Sequence, residues 1–238
     1  MNYQFDFSII SDNLSVLMQG AARTLEIACL SIAFGFLLGL TLALLRSLQI
    51  KTLKYAVLCY VEAIRNTPFI VQLFIVFFVL PLIGIKVDPY PAGVIALSLN
   101  CGGYATEIIR AGIESIHESQ VEAARSLGMS YLQAFRYAIL KPALTTIFPS
   151  LSSLFITIML GSSILSAIST PELTSVAYTI TAYKYRHFEV FSFVALLYLF
   201  MSVLLSTIFK YVEMRFLSLE GKRSFLGIIR DQLHGKRN

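Results

Sequence analysis

Hydrophobic side chains make up 56% of the 238 residues and charged ones 14%, whereas a soluble domain carries roughly 25% charge. That balance excludes a water-soluble globular protein and makes lipid the solvent for most of the chain. The formal net charge of +5 does not call for a nucleic-acid partner, because chains that cross a membrane repeatedly gather Lys and Arg in their cytoplasmic loops.

Backbone polar groups in lipid must bond internally, so a spanning chain is helical or a closed barrel. The apolar runs here are about 20 residues long without alternation, which predicts an all-α polytopic membrane protein with five transmembrane helices. Residues 1–23 form an external N-terminal segment; with Asp6 and Asp12 and no basic run before its apolar stretch, it does not read as a cleavable signal. The first span runs from Thr24 to Leu45, about 33 Å of helix, and its Gly35 and Gly39 form a small-xxx-small pair that admits another helix closely.

The apolar region from Tyr55 to Ile85 would be about 46 Å long as one helix, too long for an upright crossing. Pro68 breaks it by removing a backbone hydrogen bond and pushing Thr67 away from helical angles. Tyr55–Arg65 is then an inner helix and Asn66–Ile85 the second span. After a turn at Lys86–Tyr90, the third span covers Pro91–Arg110, softened by Asn100, Gly102 and Gly103. A polar stretch, Ala111–Lys141, precedes the fourth span, Ala143–Ile168, which contains Pro149. A loop from Ser169 to Glu189 leads to the fifth span, Val190–Tyr211. The membrane domain is thus residues 24–211 with an elbow at 119–142, and residues 212–238 form a tail. Cys29, Cys59 and Cys101 lie in apolar runs without metal-type spacing and read as buried small hydrophobes. His117, His187 and His234 are scattered, so no metal site and no catalytic residue is expected.

Five spans place the termini on opposite sides. With the N-terminus outside, the inner segments hold Arg46, Lys51, Lys54, Arg110, Arg125, Arg136, Lys141, Lys210, Arg215, Lys222, Arg223, Arg230, Lys236 and Arg237. The outer segments hold Arg23, Lys86, Lys184 and Arg186. This asymmetry makes the elbow and C-terminus cytoplasmic.

Ser119-Gln120-Val121-Glu122 has the form of a capping box, with Ser119 as N-cap and Glu122 reaching back. The helix it starts ends at Gly128, placed as a left-handed terminator. Ser130-Tyr131-Leu132-Gln133 offers a second capping box and a second helix towards Pro142. A first helix of about eight residues needs support from a partner; slim at Ala123 and Ala124, it suits a groove, with Glu122 and Arg125 able to pair across the contact. The residues alone leave open that it merely connects two spans.

Glu122-Ala123-Ala124, three residues, then Gly128 resembles the signature loop of binding-protein-dependent ABC importer permeases. Arg65-Asn66-Thr67-Pro68-Phe69-Ile70-Val71-Gln72 resembles the Arg-x-Thr-Pro-x-x-x-Gln segment of the polar amino acid permeases. Tyr104-Ala105-Thr106-Glu107-Ile108-Ile109-Arg110 and Gly112-Ile113-Glu114-Ser115-Ile116 resemble two further runs of the same group. The resemblance implies a type I ABC importer permease in the bacterial inner membrane. It would dimerise with a second permease, identical or different, above an ABC ATPase dimer and below an extracytoplasmic solute-binding protein. Glu122, Ala123, Ala124, Arg125 and Gly128 would then form the coupling helix. The sequence has no G-x-x-x-x-G-K-[ST] loop, so ATP and Mg would be bound by the separate ATPase and no cofactor is expected here. Another small polar solute, an amine or opine, or ATP-independent transport are the alternatives.

Substrate-path candidates are Thr67, Gln72, Tyr104, Glu107, Ser162 and Ser163. Thr67 and Gln72 flank the break and either line a path or satisfy it. Glu107 either faces a cavity or pairs with Arg110 on the same helix face, and Glu62 with Arg65 is read as a structural pair. Ser162 and Ser163 can also bond back to their own helix. Where many amino acid permeases carry Lys-Asp-Thr-Ser-Leu, this chain has Leu160-Gly161-Ser162-Ser163-Ile164. Without that aspartate, this subunit would be the weaker-binding half of a heterodimer, or would hold substrate by hydroxyls and backbone groups.

Overall fold

A computed structural model describes residues 5–48, 50–134 and 140–217. These residues form helices α1 (Ser8–Ser47), α2 (Lys51–Arg65), α3 (Phe69–Phe74), α4 (Pro89–Glu114), α5 (Glu118–Ser126), α6 (Tyr131–Ala134), α7 (Lys141–Gly161), α8 (Leu173–Lys184) and α9 (His187–Val212). A π turn (Ile75–Val79) and a 3₁₀ turn (Leu80–Ile83) extend α3, and a 3₁₀ segment (Ser162–Ile168) extends α7. No strand occurs among the described residues. Four helical stretches are long and apolar enough to cross a membrane, and the expected number of five is reached when the bent pair Lys51–Arg65 with Phe69–Ile83 is counted as one span. The chain direction bends by 111° between the two halves of that pair, across Asn66–Pro68, the break expected at the proline.

The first helix begins at Ser8, well before Thr24. At 40 residues it is about 60 Å long, twice the hydrocarbon thickness. Asp12, Asn13 and Arg23 lower the apolar content of its first turns, but Ile9, Leu17, Gly20 and Ala21 are buried against the α8–α9 hairpin. The Leu173 amide donates to Thr24 Oγ1 at 3.2 Å. Tertiary packing, not hydropathy, sustains this part of the helix.

Helices in lipid associate by close packing rather than by escape from water. Along α1 and α4 the close approach is made by Gly35 and Gly39: a Cβ on Gly35 would sit 2.5 Å from Cys101 Cβ, and one on Gly39 2.6 Å from Ala105 Cβ. One core then forms between α1, α3, α4 and α7 around Ile27, Leu73, Leu97 and Ile158. A second joins the start of α1 to α7, α8 and α9 around Leu17, Met159, Leu173 and Val190. Cys101 is buried beneath Gly35, but Cys29 and Cys59 are exposed on the outside of the bundle, which corrects their reading as buried.

The segment after the fourth span is also not a simple loop. Thr170 Oγ1 donates to the Pro89 carbonyl at 3.0 Å, fixing the turn onto the start of α4, and α8 follows. Its N-cap is Glu172, whose carboxylate accepts from the amides of Thr174 at 2.8 Å and Ser175 at 2.7 Å and from the Tyr198 hydroxyl at 2.9 Å. Burial pushes the Glu172 carboxyl above the usual glutamate range, against the pull of these donors.

Candidate functional site

Proline at 68 frees carbonyls upstream of the break, and a buried carbonyl without a donor is costly. Gln72, one turn along α3, supplies the donor. Its side-chain amide reaches the carbonyls of Ile64 at 2.8 Å and Thr67 at 3.0 Å and the Thr67 hydroxyl at 3.0 Å. Thr67 in turn donates to the Ala63 carbonyl at 2.8 Å. Gln72 Oε1 accepts from Asn100 of α4 at 3.0 Å, so the break is tied to the central helix.

Beside this knot lies a cavity of about 530 Å³ walled by the break, α4 and α7. Its polar lining is Thr67, Asn100, Tyr104, Ser153 and Thr157, and Gly161 opens it on the α7 side. Among the described residues no carboxylate, ammonium, guanidinium or imidazole group lines it. A second cavity of about 330 Å³ shares Ile108 with the first and continues along α4 to Arg65, Glu107 and Ser150.

Of the path candidates, Thr67 and Tyr104 line the first cavity and Glu107 the second. Gln72 is buried behind the break. Ser162 and Ser163 line neither and donate instead to the carbonyls of Met159 at 2.7 Å and Leu160 at 2.8 Å, the back-bonding use of serine. Asn100, Ser153 and Thr157 were not singled out from sequence; Asn100 was seen only as a softening of the span. A polar side chain every three to four residues along one α7 face was the available signal.

Glu107 pairs with Arg110 at 2.9 Å, as the spacing implied. It also pairs with Arg46 of α1 and lies 4.0 Å from Arg65 of α2, so one carboxylate gathers guanidinium groups from three helices. Arg110 further pairs with Glu114. The expected Glu62–Arg65 pair is not formed: Glu62 accepts from the Asn66 side chain at 2.7 Å while Arg65 turns towards Glu107.

Beyond α4 the chain makes the helix–turn–helix elbow. α5 is capped by His117, not Ser119: the Ser119 amide donates to His117 Nδ1 at 3.3 Å, and the Ser119 hydroxyl lies 2.8 Å from the same nitrogen. An imidazole acceptor one residue before the helix displaces the serine, which becomes the second helical residue. Gly128 has φ of 81° and ends the helix as expected. Its amide donates to the Arg125 carbonyl at 3.0 Å and that of Met129 to the Ala124 carbonyl at 3.2 Å, the Schellman arrangement. Ser130 and Gln133 form the reciprocal capping box at 2.9 and 3.3 Å. The second helix is described to Ala134; its expected continuation over residues 135–139 lies outside the described residues. Glu122, Ala123 and Arg125 are exposed and Ala124 is buried. Leu127 and Leu132 are 80% and 75% exposed, apolar side chains at the elbow that sequence reasoning did not single out.

A helix pair bent at a proline beside a largely apolar cavity edged by a few hydroxyl and amide groups, together with four long apolar helices, is the architecture of a membrane permease. The chain belongs to the family described as binding-protein-dependent transport system inner membrane component, which it matches over residues 35–218. It is therefore the inner-membrane component of an ABC transport system rather than an enzyme in its own right. It is 36% identical to the probable glutamine ABC transporter permease protein GlnM of Bacillus subtilis (strain 168), over 87% of this chain and 96% of that one. It is 35% identical to the glutamine transport system permease protein GlnP of Escherichia coli (strain K12), over 89% and 98%. Among solved structures, a chain titled as an amino acid ABC transporter with histidines superposes with a TM-score of 0.82 at 36% identity, covering 90% of this chain and all of that one. The MetNI methionine ABC transporter in an inward-facing form shares the fold, with a TM-score of 0.70 at 22% identity over 84% and 96%.

Proposed function

We propose that this permease imports polar amino acids, that the cavity at the Pro68 break is its share of the translocation path, and that the α5–Gly128–α6 elbow docks on the ATPase. The observation that carries this reading is the alignment of an uncharged cavity edged by hydroxyl and amide groups, a second cavity beside it, and an elbow beyond the end of α4. The curated relatives quoted above are named for glutamine, a substrate whose side-chain amide suits hydroxyl and amide partners such as Thr67, Asn100 and Thr157. Glu122, Ala123, Arg125 and Gly128 form the coupling surface over the buried Ala124, with Leu127 and Leu132 as its apolar anchors. ATP and Mg are held by the ATPase dimer, a solute-binding protein delivers the substrate from outside, and the N-terminus lies outside with the elbow and C-terminus in the cytoplasm, in keeping with the distribution of Lys and Arg.

A substrate with α-ammonium and α-carboxylate groups requires charge that this cavity does not supply. We place that charge on a second, different permease subunit, so that the working unit is a heterodimer. The coupling assignment is tested by Glu122→Lys in the complete transporter reconstituted in vesicles: uptake is lost and ATP hydrolysis no longer follows substrate, while the subunit still inserts. Wild-type uptake in that variant would overturn it.

A further inference from the structure

Where α1 ends and α2 begins, the molecule gathers cations that do not line the cavity at the Pro68 break. Arg46, Ser47, Lys51 and Lys54 line a cavity of about 270 Å³ together with Leu48 and Ile50. A neighbouring cavity of about 150 Å³ shares Arg46, Ser47 and Lys54 and is closed by Arg110 and Glu114 of α4. Neither cavity shares a residue with the one at the Pro68 break.

The charges at this corner do not cancel. Arg46 pairs with Glu107, and Arg110 with Glu107 and Glu114, so the acidic groups are already engaged. Among the described residues neither Lys51 nor Lys54 has a carboxylate partner, although both border the cavities. The pairing with Glu107 holds the Arg46 side chain in place beneath them. The rim is apolar and open: Leu48, Ile50 and Tyr55 are 47%, 52% and 67% exposed. The corner lies at the end of the bundle where α4 gives way to the elbow, since Lys54 and Glu114 share a cavity wall.

We infer that the α1–α2 corner is a binding site for a phosphate-bearing anion, held by Lys51 and Lys54 above the Glu107-paired Arg46. Ammonium and guanidinium groups donate charge-assisted hydrogen bonds to phosphate oxygens, and basic pockets between spanning helices hold anionic headgroups in this way. The exposed Leu48, Ile50 and Tyr55 lie where the acyl chains of a bound phospholipid would run, a contact that a free phosphate ion would not use.

The test is native mass spectrometry of the full chain in detergent, titrated separately with phosphatidylglycerol and phosphatidylcholine, with inorganic phosphate as competitor. The same titrations are run on a Lys51→Gln/Lys54→Gln variant, which alters only exposed side chains. Wild type retains phosphatidylglycerol about 30-fold more tightly than phosphatidylcholine, as two cationic contacts require, and the variant brings the two lipids close to parity. Displacement of phosphatidylglycerol by inorganic phosphate supports a site for the phosphate itself, and persistence of the lipid supports one for the lipid. Equal retention of the two lipids by wild type, or an undiminished preference in the variant, overturns the inference.

Discussion

Asn100 of α4 donates to Gln72 of α3 at 3.0 Å, and through Gln72 it reaches carbonyls that Pro68 leaves without a helical donor. Replacing Gln72 with Leu keeps the volume but strands several acceptors, each costing about 1–3 kcal/mol when buried. Gln72→Leu is expected to lower the thermal unfolding midpoint in detergent markedly, and Asn100→Ala, which removes a single bond, by less. Equal midpoints in wild type and Gln72→Leu would mean that water satisfies the break.

The contact between Gly39 and Ala105 leaves no room for a side chain. Gly39→Leu forces α1 and α4 apart, at the roughly 1–3 kcal/mol typical of overpacking or more, because Gly102 and Thr106 backbone atoms also lie about 3.1 Å from the new Cβ. Gly161→Ala serves as the control, since nothing lies within 4 Å of a Cβ there. Thermal unfolding should separate the two variants clearly.

At Gly128 the demand is one of backbone conformation alone: φ is 81° and a Cβ would meet nothing within 4 Å. A β-branched side chain in this region costs about 1–2 kcal/mol, and asparagine less. Gly128→Val is therefore expected to reduce substrate-stimulated ATP hydrolysis by the reconstituted transporter more than Gly128→Asn does. The reverse order would remove the left-handed turn from the account of the elbow.

Gly161 opens the first cavity towards α7, and the absence of neighbours means an aspartate fits there. Gly161→Asp should insert and unfold like wild type while favouring cationic over neutral amino acids in competition for uptake. An unchanged substrate preference would separate Gly161 from the path.

Glu172 makes stability depend on pH. Burial raises its folded-state pKa above that of the unfolded chain, so its contribution is fully present below the ordinary glutamate range and is lost as pH rises through the raised value. Thermal midpoints measured from about pH 4 to about pH 7 should fall with pH in wild type, and Glu172→Gln should flatten that part of the curve. A variant curve parallel to wild type would assign the slope to other groups.

The spans and the break at Pro68 were legible because lipid imposes one rule, internal backbone bonding, over whole segments, and because proline acts locally. The Gly128 turn and the Ser130–Gln133 box were legible for the same reason, as their partners lie within a few residues. What sequence missed depends on distant partners. The first turns of α1 are helical because Leu173 and Val176 pack on Gly20, and α8 is capped by a glutamate whose hydroxyl donor, Tyr198, is 26 residues away. Arg65 turns from Glu62 to Glu107 because α2 crosses α4, which no i, i+3 rule contains. His117 takes the place of Ser119 as cap because an imidazole nitrogen can also accept the amide, a role outside the usual short capping side chains.

The glycine seam between α1 and α4 also has a mechanical meaning. Two helices kept apart over a full turn, from Gly35 to Gly39, only by the small side chains of Cys101 and Ala105 behave as a single thick beam, stiff against shear. The elbow hangs from one end of that beam, four residues past Glu114, so a push on it is delivered to both helices together. Compliance must then reside elsewhere in the bundle, and the 111° knee at Pro68, which forms one wall of the cavity, is the joint placed to take it up.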